Sequence, residues 1–76
     1  MNKDKELTKL GKRIKQLRLE RGLSQAKLGA KIGKDQQSIN KVEAGDFNPT
    51  YIYLLEISEG LEIDLTELLN IVSTKK

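Results

Sequence analysis

The stretch LSQAKLGAKIGKDQQSINKVEAG, Leu23 to Gly45, decides how this chain folds. Ser24 is placed to cap a helix, and Leu23 before it can close on Leu28 as a hydrophobic staple across the entry turn. Lys27 stands where a full capping box has Glu or Gln, so the start signal is partial. Leu28 and Ile32 are four apart and form the buried stripe of this helix, which Gly33 ends. Asp35 is the N-cap of a next helix, in which Ile39 and Val42 lie one turn apart and Gly45 closes the segment. Gln36 and Asn40, like Gln37 and Lys41, are four apart, so these four project from the side opposite Ile39 and Val42.

The pattern extends in both directions. Leu7, Leu10, Ile14 and Leu17 recur at helical steps and predict a first helix from about Asp4 to Arg21, with Gly22 ending it. Asn48-Pro49-Thr50 is a further helix entry, with Asn48 or Thr50 capping and Pro49 tolerated in the first turn, where its missing N–H has no partner to lose. Leu54, Ile57, Ser58 and Leu61 line that fourth helix. Asp64 with Glu67, and Ile63 with Leu68, make a complete capping box and staple for a fifth, whose Leu65, Leu68 and Leu69 are expected to face inward. Tyr51 to Leu55 is the nearest approach to strand alternation and reads better as the start of helix four. Five helices with short links make a compact all-α domain. It is expected to span residues 1–72, with a frayed tail at 73–76.

Composition narrows function. A chain of 76 residues buries only about 60 to 65% of its unfolded surface, which leaves a small core and no room for a large enclosed cavity. Without cysteine or histidine there is no disulfide framework, no thiolate or imidazole metal site and no usual general base. Eleven carboxylates spread over helix surfaces, with no Gly-rich phosphate loop, form no catalytic constellation. No enzyme activity, cofactor, metal or small-molecule ligand is expected. Nothing resembles a signal peptide or a membrane span, and the simplest reading is a cytoplasmic protein without a membrane partner. The net charge of +3 conceals an asymmetry: residues 1–41 hold twelve Lys or Arg against four acids, and residues 42–76 hold two Lys against seven acids. The basic half can face a polyanion while the acidic half faces away.

The polar face of helix three is the feature richest in chemistry. A solvated helix face ordinarily carries Glu, Lys and Arg, whereas Asn is a poorer helix former and amides gain little in open water. Gln and Asn do pair bidentately with adenine, and Lys reaches guanine or a phosphate, so Gln36, Gln37, Asn40 and Lys41 suit a major groove.

The run Ser24-Gln25-Ala26-Lys27-Leu28, Gly33, Gln36-Gln37-Ser38-Ile39 and Glu43-Ala44-Gly45 resembles the helix-turn-helix of the Cro/CI-type, XRE-like phage repressors. The likeness runs from about Leu7 to Leu69 and includes the pattern of Pro49, Leu54, Leu61, Leu65 and Leu68 in the later helices. It implies a five-helix, lambda-repressor-like domain with its helix-turn-helix at about 24–45, acting as a sequence-specific transcriptional regulator, most often a repressor, of bacterial or phage origin. It further implies that Gln36, Gln37 and Lys41 read bases, that Asn40 touches a base or a phosphate, and that Gln25 bonds a phosphate and braces the reading helix. Arg18 and Glu43 match an internal ion pair of similar repressors, and a cation there offsets the unfavourable placing of Glu43 near a helix carboxyl end.

Such repressors bind double-stranded DNA as homodimers on half-sites about 34 Å apart. Ile52, Leu55, Ile71 and Val72 fall outside the main apolar stripe and are the expected pairing surface. Three departures from the family pattern stand out. Gly29 replaces the usual Ala and is expected to weaken helix two by about 1 kcal/mol. Asp35 lies near where phosphates approach and Asp46 occupies a loop that often offers Arg or Lys, which leaves Lys12, Lys31, Lys34 and Lys41 as the cationic contacts and predicts a shallow salt dependence. Prophage repressors, restriction-modification controllers and stand-alone regulators share this pattern. An antitoxin-like helical module that holds a protein partner is the alternative reading.

Overall fold

In the computed structural model, which describes residues 1–71, five helices follow one another: α1 (Lys3–Glu20), α2 (Gln25–Ile32), α3 (Gln36–Glu43), α4 (Tyr51–Leu61) and α5 (Leu65–Leu68). Val72 of the expected pairing surface and the expected tail at 73–76 lie outside the described residues.

Four of the helices start on a side-chain cap. Asn2, Ser24, Asp35 and Thr50 each have extended backbone and accept from the amide three residues on, at 3.0, 3.0, 2.8 and 3.0 Å. Each such bond is worth about 1 kcal/mol. Thr50 being the cap, Pro49 lies one residue before it, buried and outside the helix, rather than in the first turn.

The fifth helix departs from its sequence signal. Asp64 has the extended backbone of an N-cap but makes no side-chain cap bond, and α5 is a single turn. Arg13 of α1 instead donates from Nη2 to the Glu67 carbonyl at 2.8 Å and from Nε to the Leu68 carbonyl at 3.4 Å. A cation thus satisfies the carboxyl end of α5, the end where the helix dipole favours positive charge. On so short a helix only Leu68 is buried, while Leu69 is 44% exposed rather than facing inward.

The core is one cluster fed by all five helices: Ile14 and Leu17, Leu28, Ile39 and Val42, Tyr53, Ile57 and Leu61, and Leu68. Each apolar side chain of this kind contributes about 1.5 to 3 kcal/mol by leaving water. The alternation of the sequence anticipates all of these except Tyr53. Its ring is buried because its hydroxyl has a partner, the Ser38 hydroxyl of α3.

Candidate nucleic-acid interface

One turn and two close backbone approaches set the position of α3. Gly33 takes the left-handed conformation, φ 72°, and stops α2 so that the chain can double back. The returning backbone then crosses α2 at Gly29: a Cβ there would lie 2.5 Å from the Lys34 carbonyl oxygen. The departure at Gly29 therefore has a steric reason, since an alanine needs the turn itself to move. At its other end α3 lies against α1, where a Cβ on Gly11 would be 2.3 Å from the Glu43 carbonyl oxygen and 2.6 Å from that of Val42.

Behind α3, Ile39 and Val42 are sealed in the core, and a polar network ties down its carboxyl end. Arg18 donates from Nε to Glu43 Oε2 at 2.6 Å and from Nη2 to Glu43 Oε1 at 2.9 Å, a bidentate pair with both residues under 10% exposed. Its remaining nitrogen, Nη1, donates to the Leu23 carbonyl at 2.7 Å and so holds the turn into α2 as well. The Arg18 pKa is raised, chiefly by the hydrogen bond to Glu43; burial opposes the rise and the attraction of the Glu43 charge adds to it. Gln25 Nε2 donates to Glu43 Oε1 at 3.0 Å, and Asn40 Nδ2 donates to Gln25 Oε1 at 3.3 Å. The network therefore runs from a buried ion pair out to the exposed face of α3.

That face is continuous. Gln36, Gln37, Asn40 and Lys41 are all exposed and line one shallow depression. Gln37 and Lys41 also line a second, next to it, with Asp35, Ser38 and Phe47. Amide and ammonium groups on one helix face, backed by an immobile core, can read hydrogen-bonding groups on a flat polar partner.

A helix-turn-helix family model, HTH_3, matches residues 14–68, the span from the middle of α1 to the end of α5. The chain belongs to the HTH_3 helix-turn-helix family. It is 37% identical over 59 residues to the uncharacterized HTH-type transcriptional regulator y4dJ of Sinorhizobium fredii, covering 78% of this chain and 77% of that one. Its fold matches the restriction-modification controller protein C.AhdI from Aeromonas hydrophila with a TM-score of 0.82 at 34% identity, covering 84% of this chain and 97% of that one. The controller protein C.Esp1396I matches with a TM-score of 0.79 at 30% identity, over 92% and 95% of the two chains. The protein is a DNA-binding transcriptional regulator of the helix-turn-helix type.

Within this HTH_3 domain the four lysines expected as cationic contacts are not alike. Lys12 and Lys41 are exposed and make no ion pair among the described residues. Lys31 lies 3.5 Å from Glu62, and Lys34 lies 3.3 Å from Glu56 and 4.9 Å above the Tyr53 ring. Gln25, expected at a phosphate, is half-buried in the network and keeps one amide N–H unused there. Of the expected pairing residues, Ile52 is 60% exposed, with Tyr51 exposed beside it, whereas Leu55 and Ile71 are half-buried.

Sequence reasoning missed Phe47 and Tyr53, whose rings pack at 5.7 Å between centroids beside the polar face of α3. A signal existed, because all three aromatic residues of the chain fall within residues 47–53. Among the described residues no helix is long and apolar enough to cross a membrane.

Proposed function

We propose that this regulator lays α3 in the major groove as a homodimer and represses transcription by occupying its site. One observation carries the reading: Gln36, Gln37, Asn40 and Lys41 form a single exposed face on a helix whose back is locked by Ile39, Val42 and the Arg18–Glu43 pair. In this reading those four side chains meet base edges, and Gln25 gives its unused N–H to a phosphate. Lys12, Lys31 and Lys34 supply charge to the backbone. The pairs Lys31–Glu62 and Lys34–Glu56 are partly exposed and worth at most about 1 kcal/mol each, so a phosphate can displace the carboxylates.

The two copies meet through Ile52, Leu55 and the segment reaching Ile71, with Tyr51 extending the apolar surface. Residues 1–72 form the DNA-binding domain, which works without enzymatic activity in the bacterial cytoplasm. The likeness to two restriction-modification controllers favours a restriction-modification controller role for this chain.

Selection from random duplexes tests the reading, with a palindromic consensus as the expected product. Gln37→Ala should relax preference at one base position and cost about 1 to 3 kcal/mol on the selected site. Equal losses on selected and random DNA would remove Gln37 from the reading set. A monomer mass in sedimentation, with and without the selected duplex, would sink the homodimer.

A further inference from the structure

We infer that Asn40 selects a base bearing an amino group in the major groove, adenine or cytosine, because the buried Glu43 carboxylate orients its amide through Gln25. The inference rests on the base-reading role of α3 proposed above and adds the chemistry of one position.

The orientation follows from donor and acceptor counting. Glu43 is held by two N–H groups of Arg18, and its carboxylate can only accept. The Gln25 atom 3.0 Å from Glu43 Oε1 must therefore be the amide nitrogen, since an oxygen there would face a carboxylate with no proton between them. The Gln25 oxygen then lies at the other arm of the amide, 3.3 Å from Asn40, and the Asn40 group that meets it must be the NH2. Rotating either amide by half a turn loses a hydrogen bond and sets two acceptors against each other.

Asn40 thus commits one N–H of its NH2 to Gln25, keeps the other free, and holds Oδ1 on the arm away from Gln25, without a partner among the described residues. Gln36 and Gln37 make no such bond there and remain free to offer either end. In the major groove adenine N6 and cytosine N4 donate, while guanine O6 and thymine O4 accept. An acceptor held outward at position 40 matches the first pair and opposes the second. Gln25 can still give its second N–H to a phosphate, so DNA binding leaves the relay intact.

The test uses the duplex selected with the full chain, with all four base pairs placed in turn at each half-site position and binding followed by fluorescence anisotropy. At one position the wild type should favour adenine or cytosine over guanine and thymine by about five- to tenfold, the lower part of the range for a single base contact. Asn40→Ala should abolish that preference. Gln25→Met should flatten it to less than about twofold, leave the Gln37-dependent position unchanged and lower affinity for all sequences together, whereas loss of a phosphate contact alone moves only the last of these.

A duplex carrying purine in place of adenine, and so lacking N6, should weaken wild type and not Asn40→Ala. If Gln25→Met does not fold, this analogue comparison decides, because Asn40 is exposed and its substitution spares the core. A preference for guanine or thymine at the Asn40-dependent position, an equal loss on every sequence from Asn40→Ala, or a preference that survives in folded Gln25→Met would overturn the inference. Failure to select any site would instead overturn the proposed function.

Discussion

Removing one partner of the Arg18–Glu43 pair should bring this chain close to unfolding. At about 0.05 to 0.15 kcal/mol per residue, a domain of 76 residues has about 4 to 11 kcal/mol of stability. Truncating one member of a buried ion pair costs about 3 to 5 kcal/mol, because the other charge stays buried without its partner. Both residues are under 10% exposed, so water does little to screen that charge. Glu43→Leu should therefore remove about a quarter of the total or more. Arg18→Met should cost at least as much, since the Leu23 carbonyl loses its donor too. The double variant should recover part of the loss, because two apolar side chains leave no orphaned charge. Urea unfolding of the two singles and the double, followed by circular dichroism, gives the coupling energy. Single losses below about 1 kcal/mol, or a double equal to the sum of the singles, would refute the treatment of this pair as desolvated.

Two further outcomes follow from the same geometry. Gly29→Ala gains about 1 kcal/mol of helix propensity but sets a methyl 2.5 Å from the Lys34 carbonyl, a misfit of the kind that costs about 1 to 3 kcal/mol, so urea melts should show net destabilisation; a stabilised variant would contradict the packing. The raised Arg18 pKa means that its contribution is fully present below the unfolded value and is lost only as pH climbs through the still higher folded one. The stability difference between wild type and Arg18→Met should thus be flat from about pH 7 to about pH 10, and a decline within that window would count against the assignment.

Local rules made most of the fold legible. Ser24, Asp35, Thr50 and the stripe from Leu7 to Leu17 each encode their element within a few residues, and the structure follows them. The same rules misjudged α5, because Asp64 and Glu67 describe how a helix can begin and not what supplies its far end. Arg13 does that from more than fifty positions away. Tyr53 was hidden for a related reason: its burial depends on the Ser38 hydroxyl of another helix. At the interface, helical spacing brings Gln36, Gln37, Asn40 and Lys41 together. It does not reveal that Lys31 and Lys34 meet acids of α4 and its cap, or that Asn40 reaches Gln25, because both depend on how α2 packs.

Gly11 has a bearing on how such regulators diverge. The absent side chain at that point lets α1 and the end of α3 touch through their backbones, so the depth at which the helix stands belongs to buried positions and not to its exposed face. After gene duplication, the exposed residues of α3 can drift toward a new operator while the daughter protein inherits the old stance of the helix. A change at Gly11 would do the reverse, keeping every residue of the proposed reading surface and shifting it as a block. New specificities are therefore most accessible by exchange of side chains on a conserved pose, and position 40 should drift least, because it would have to renegotiate its bond with Gln25.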